Sequence, residues 1–178
     1  MGLFIEQMEL KPSDAALKKT AIIGAIISAL SYAIMAYLMY LSGTDVTKTI
    51  TSQLSFSGPF LRELYFETLY INYYRIAQIL DYVFMVGYGS LLFSLSVTVA
   101  RNSTGNPKIR NLGFIAADLA IIAALCDAFE NMFILITLMN PLGFPAWQAV
   151  LHSVFAVIKW GLLLFVIGYN IGARIQRR

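Results

Sequence analysis

The chain has 178 residues, of which 58% are hydrophobic and 13% charged, with a formal net charge of +3 and a mean hydropathy of +0.70. The charged share is about half that of a soluble domain, too little to clothe a fold of this size in polar side chains. A lipid-facing surface is the alternative, and the positions of the basic residues, given below, exclude nucleic acid as the reason for the positive charge.

Gly2 to Leu10 (GLFIEQMEL) mixes large apolar residues with two acids, as a short helix on a membrane surface does. Ser13 before Asp14-Ala15-Ala16-Leu17 reads as a helix start. An apolar run follows over residues 20–41, and a bilayer-spanning helix needs about 20 such residues. A basic region precedes the run, as in a signal peptide, but the run is too long and no small-x-small cleavage site follows it. It is therefore the first expected span. Gly24, Ser28 and Ser31 recur along it at helical spacing and predict close approach of another helix.

The connection 42–75 is the one long loop expected. Its first half (GTDVTKTITSQLSFSG) is rich in Thr and Ser and reads as irregular. Its second half can start a helix at Pro59 with Ser57 or Gly58 as cap. Phe60, Tyr65, Phe66, Tyr70, Tyr73 and Tyr74 form an aromatic belt suited to the headgroup region, which favours a surface anchor over a lid. A second span is expected over about 76–100, a third over about 112–139 and a fourth over about 147–171. The turns between them are NSTGNPK (Asn102 to Lys108) and MNPLGFPAW (Met139 to Trp147). The expected fold is all-α: a polytopic membrane protein, a four-transmembrane-helix bundle, with residues 1–178 as a single membrane domain.

Lys11, Lys18 and Lys19 precede the first span; Arg101, Lys108 and Arg110 lie between the second and third; Arg174, Arg177 and Arg178 follow the fourth. All three groups fall on one side. The other side holds Lys48, Arg62 and Arg75, spread along the long loop. This positive-inside pattern predicts a cell-membrane protein with both termini cytoplasmic. The acceptor-like Asn102-Ser103-Thr104 then lies on the cytoplasmic side, where it stays unused. Cys126 is the single cysteine, so no intrachain disulfide can form, and it reads as an apolar filler.

Polar residues recur in three of the spans. In the third, Asp127, Glu130 and Asn131 share a face, continued by Ala116, Ala120, Ala123 and Ala124. In the second, Tyr74, Gln78, Asp81 and Tyr88 form a stripe; in the fourth, Gln148, His152 and Lys159 do. Three apolar helices with one polar line each predict a bundle with a polar interior.

Reflecting the chain through its short turns gives relative depths to about one helical turn. Asp127 falls beside Lys159, and Asp81, Glu130, Asn131 and His152 share a layer nearer the outside. An isolated charge at mid-membrane costs roughly 2.5–3.5 kcal/mol on insertion scales, so an Asp127–Lys159 ion pair is expected. Asp81 and Glu130 are left facing each other with His152 as neighbour, a pairing that calls for a shared proton or a cation. The expected pocket, open to the outer side, is lined by Asp81, Tyr88, Asp127, Glu130, Asn131, His152 and Lys159. Asp118 lies on the opposite face near the cytoplasmic end, level with Ser94.

One His and one Cys give no metal signature. No Ser-His-Asp order, phosphate loop or nucleotide motif is present, and no cofactor is expected. Leu80 to Leu92 (LDYVFMVGYGSLL), CDAFENMF (Cys126 to Phe133) and Lys159-Trp160 together resemble a widespread set of small four-span membrane proteins without assigned activity. The resemblance covers spans two to four, and its specific part is the Asp-x-x-Glu-Asn element at Asp127, Glu130 and Asn131. The plan of four helices around acids is also similar to the emopamil-binding and sigma-2 receptor group, which implies sterol chemistry by analogy alone.

Three functions remain open. The first is binding or transport of a proton, a cation or a lipophilic ligand at the acid cluster. The second is an accessory subunit of a larger membrane complex. The third, a membrane enzyme acting on a lipid with Asp81 and Glu130 as acid and base, has no catalytic motif behind it. The expected partners are membrane lipids and a homodimer or larger membrane complex, with no nucleic acid.

Overall fold

The structure, a computed structural model, describes residues 8–176. Most of the stretch expected to lie on the membrane surface, and Arg177 and Arg178, fall outside the described residues; Met8 to Leu10 are helical. The described chain has no strand. Its helices are α1 (Asp14–Ser42), α2 (Val46–Gln53), α3 (Gly58–Glu67), α4 (Ile71–Arg101), α5 (Pro107–Thr137) and α6 (Ala146–Ile175). Four of them, α1, α4, α5 and α6, have 29, 31, 31 and 30 residues and are apolar enough to cross a membrane. At 1.5 Å per residue each is about 45 Å long, more than the roughly 30 Å hydrocarbon core. Each begins before its apolar run for that reason, and α1, α4 and α6 also end beyond theirs. The expected four-helix membrane bundle is the observed fold.

The helix starts follow local chemistry. Ser13 Oγ accepts from Ala16 N at 3.3 Å and opens α1. Ser57 Oγ accepts from Phe60 N at 3.2 Å and opens α3, with Pro59 in its first turn. Asn106 Oδ1 accepts from the amides of Lys108 and Ile109 ahead of α5, which begins at Pro107. Each cap satisfies amides that have no partner within the helix. Gly43 closes α1 at φ 70°, a left-handed conformation that glycine adopts without strain.

One expectation fails in the long loop, whose first half is not irregular but contains α2. Asp45 Oδ1 accepts from Thr47 N at 2.7 Å and Lys48 N at 3.3 Å, which starts the helix. The hydroxyls of Thr49, Thr51 and Ser52 then bond back to the carbonyls of Asp45, Thr47 and Thr49. A Thr/Ser-rich stretch is thus satisfied inside a short helix once its cap is in place.

The spans do not form a closed square. α4 packs between α1 and α5, and α6 packs on α5 and touches α4 lightly. α1 makes no comparable contact with α5 or α6. The seam that would close the bundle, α1 against α6, is therefore not made by two membrane-length helices. Instead α2 and α3, which follow α1 in the chain, sit against α6.

α1 approaches α4 through its small residues, as their spacing predicts. A Cβ at Gly24 would lie 2.7 Å from Gly87 O, and one at Gly87 would lie 2.6 Å from Ser28 Oγ. Ser28 and Ser31 keep their hydroxyls bonded to Gly24 O (2.8 Å) and Ile27 O (2.6 Å), so neither presents a free donor to the neighbouring helix.

Three apolar layers stack along the bundle. At the loop end lie Leu61, Leu64, Tyr65, Tyr74, Ile134, Leu138, Phe144 and Ala149. Further down, Ala116, Ala120 and Val166 pack with Leu92, Leu119 and Tyr169. At the far end lie Leu17, Val97, Ala100, Phe114 and Ala117, with Met8 against them. Between the first and second layers the interior turns polar.

Candidate functional site: a sealed polar cluster

α5 presents Asp127, Glu130 and Asn131 inward from one and a half turns of helix. They are 4%, 0% and 1% exposed. From α6 come His152 and Lys159, and from α4 come Asp81 and Tyr88. All seven side chains expected to share a pocket are in this layer: Tyr88, Asp127, Glu130 and Lys159 are joined by direct contacts, Asp81 and Asn131 form a pair of their own, and His152 faces Glu130.

Lys159 is the hub. Its Nζ lies 2.9 Å from Asp127 Oδ1 and 2.5 Å from Glu130 Oε2. The Asp127–Lys159 pair is therefore present, and Tyr88 OH supports it by donating to Asp127 Oδ2 at 2.9 Å. The ammonium also sits 5.3 Å from the centre of the Trp160 ring, within cation–π range.

Glu130 and Asp81 depart from expectation. They do not form a pair of carboxylates. Glu130 turns to Lys159, while Asp81 Oδ2 accepts from Asn131 Nδ2 at 2.5 Å. The cause is reach: residues 127 and 130 are one turn apart, and a lysine side chain long enough to meet one can bridge both. Asp81 is half-buried at the edge of the cluster, unlike its fully buried neighbours. His152 Nδ1 points at Glu130 Oε1 from 3.9 Å, beyond hydrogen-bond distance, and neither ring nitrogen makes a well-formed hydrogen bond. The ring is 1% exposed.

The expected opening to the outer side is also absent, because the long loop covers the cluster. Gly58, at the start of α3, lies against Ala146, the first residue of α6. Ser153, seven residues along α6 and about 10 Å deeper, accepts from Phe56 N at 3.1 Å, and its hydroxyl reaches Ser52 O at 3.5 Å. Trp160 Nε1 donates to Gln53 Oε1 at 2.9 Å. The segment from α2 to the start of α3 thus dips along α6 and seats its tip beside His152. Irregular backbone at membrane depth is tolerated where it is packed in protein. At the far end of the same loop Phe66, Leu69 and Tyr70 remain exposed.

Sequence reasoning misses Ser52, Gln53, Ser153 and Trp160. The first two lie in the stretch read as irregular, and the depth of their contacts has no local signal. Other members of the polar stripes go elsewhere. Tyr74 packs edge-on against Tyr65 in the loop-end core, and its hydroxyl is buried without a partner. Gln148 is half-buried near the start of α6. Ser94, expected level with Asp118, has a buried hydroxyl without a hydrogen-bond partner, and Asp118 is half-buried.

Two further observations bound the chemistry. Among the described residues, no group of three or more His, Cys, Asp and Glu side chains could hold a metal ion. A groove of about 530 Å³ lies at the opposite end of the bundle, lined in part by Glu9, Asp14, Arg101 and Arg110. Its arginines are already engaged there, Arg101 with Asp14 at 2.7 Å and Arg110 with Glu9.

No family model, curated protein or solved structure matches this chain. The chain is a membrane-embedded four-helix protein with charged side chains buried in its core. Its function has to be read from that core.

Proposed function

We propose that the protein binds and releases a proton at the Asp127–Glu130–Lys159 cluster, from the side of the membrane that α2 and α3 face. One observation carries this reading: Asp81, Asp127 and Glu130 share a layer with a single ammonium, that of Lys159. With every group ionised, the negative charge exceeds the positive in a region of low dielectric, where an uncompensated charge is costly. His152, aimed at Glu130, is the further basic group within reach. A proton is the ligand that restores the balance without needing volume. The contacts of 2.5 and 2.9 Å around Lys159 favour it over a hydrated cation or a bulky lipophilic molecule.

The Ala116, Ala120 and Val166 layer below the cluster supports exchange from the loop end instead of conduction through the bundle. The charge pattern supports a loop end that faces outward. Lys48 is paired with Glu67, and the Arg62 and Arg75 guanidinium groups donate to the carbonyls of Phe144 and Leu138, so the loop-end cations are largely engaged. The other end carries Lys11, Lys18, Lys19, Arg101, Lys108, Arg110 and Arg174 in short segments next to the spans, as cytoplasmic loops do.

Infrared difference spectra of the protein in lipid nanodiscs test the proton. Between about pH 4 and 8 a protonated carboxyl band should be present, and one of Asp81→Asn, Asp127→Asn or Glu130→Gln should remove it. No such band, with all three variants functional in cells, would leave the cluster a structural lock and make the accessory-subunit reading the better one. A cysteine placed at Thr47 in a Cys126→Ala background should label from outside intact cells, and one at Gly105 should not; the reverse would invert the orientation.

A further inference from the structure

We infer that residues 46–57 form a gate over the cluster, opening sideways from α6 to let the buried groups meet water. The inference rests on the proton-binding reading for what the gate serves, but not for whether it moves.

The cluster has no standing route outward through its best-covered residues. Glu130, Asn131 and His152 are 0%, 1% and 1% exposed. Along the bundle axis it is stopped on both sides by packed apolar layers. Toward the loop end the stop includes α3, with Leu61, Leu64 and Tyr65 all buried. Exchange at Glu130 and His152 therefore requires a wall to move, and the walls are held very differently.

α4 packs on α5, and α5 on α6, along membrane-length faces. The segment 46–57 does not. Of the residues in α2, Ser52 is the one that is buried, and Leu54 and Phe56 remain 52% and 44% exposed. What holds the segment down is a short set of polar contacts: Phe56 N to Ser153 Oγ, Ser153 Oγ to Ser52 O, Gln53 to Trp160, and the Lys48–Glu67 pair. Few buried apolar contacts and several replaceable hydrogen bonds are the marks of a segment that opens locally, well below the free energy of global unfolding. The closed form also holds strain. Phe56 sits at φ 52°, a left-handed conformation disfavoured for any residue with a large side chain. That strain is released when the tip leaves Ser153.

The gate is testable without reference to protonation. Ala156 is fully buried on the same face of α6 as His152, Ser153 and Lys159. A cysteine there, in a Cys126→Ala background in nanodiscs, should react slowly with a water-soluble thiol reagent, at a rate set by opening. Ser153→Ala, which removes the acceptor of Phe56 N–H, should speed labelling about fivefold, as the loss of one hydrogen bond predicts. Glu67→Gln should speed it by a smaller factor. Phe56→Gly, which relaxes the left-handed backbone, should slow it. Opposite signs in the two central variants are what a general loosening of the bundle would not produce. If Ser153→Ala fails to fold, the surface variant Glu67→Gln decides in its place. Equal rates in all variants, or no labelling in any, would overturn the gate. A cluster that never takes a proton would leave these rates untouched, so the two readings fail separately.

Discussion

Lys159 Nζ contacts Asp127 Oδ1 at 2.9 Å and Glu130 Oε2 at 2.5 Å, so one ammonium from α6 serves two carboxylates one turn apart on α5. Removing it leaves both acids buried without their shared partner. Lys159→Met should destabilise the protein by about 3–5 kcal/mol, the usual cost of breaking a buried ion pair from one side. A simple pair would be rescued by neutralising one acid. Here Asp127→Asn or Glu130→Gln should each recover part of the loss, and both together should recover more. Unfolding in mixed micelles across the set checks this; full rescue by either single change would show that the bridge is one-sided.

The α1–α4 crossing should be as sensitive to a methyl group as any site in the chain. A Cβ at Gly87 would fall 2.6 Å from Ser28 Oγ and 2.8 Å from Ser28 N, and the second of these is backbone that cannot move alone. Gly87→Ala should cost roughly 1–3 kcal/mol, the range for overpacking. Gly161→Ala, in the interior of α6 with nothing within 4 Å of the new methyl, is the matched control. Comparable unfolding free energies for the two variants would show that α1 yields without loss.

Alkaline pH should loosen the cap formed by α2 and α3. The Lys48 ammonium is held above its ordinary value of 10.5, chiefly by its hydrogen bond to Glu67. For a base raised in this way, the contribution to stability is complete below the ordinary value and is lost as pH rises through the folded one. Tyr65 is raised by burial, which penalises the phenolate. The folded state therefore holds the phenol proton more tightly, and stability falls as pH climbs past the ordinary tyrosine value of 10.0. Both groups act in the same direction. Thermal midpoints measured from about pH 8 to 12 should fall at the alkaline end, and Tyr65→Phe should make the fall shallower. An unchanged slope in Tyr65→Phe would mean that other tyrosines carry it.

Much of the fold is legible because it depends on local chemistry. Apolar runs mark the spans, and Ser13 and Ser57 mark starts that the hydrogen bonds then show, whereas Asn106, read as part of a turn, proves to cap α5. The three polar stripes converge because helical period puts each on one face. The departures share a cause, which is that depth is inferred by folding the chain at its turns. An error of about one turn, roughly 5 Å, is enough to assign Lys159 to Asp127 alone and to leave Glu130 with Asp81. Contacts made by the long loop follow no such rule. Asp45 ahead of Val46 is a cap that could have identified α2. Nothing in VTKTITSQ says that its end would sit beside His152.

The bridge at Lys159 has a consequence for how the chain enters the bilayer. Asp127 and Glu130 are synthesised some thirty residues before the ammonium that neutralises them. Until α6 follows, these two of the three acids of α5 lack their cation, each costing roughly 2.5–3.5 kcal/mol at the centre of a spanning helix. The link from Leu138 to Pro145 is short, so the two helices can arrive side by side as a hairpin. Membrane integration of α5 should therefore be helped by a residue that has not yet been translated when α5 is complete, and a chain cut before Lys159 should integrate α5 less fully than one that includes α6, two separate helices of the fold acting as one unit of insertion.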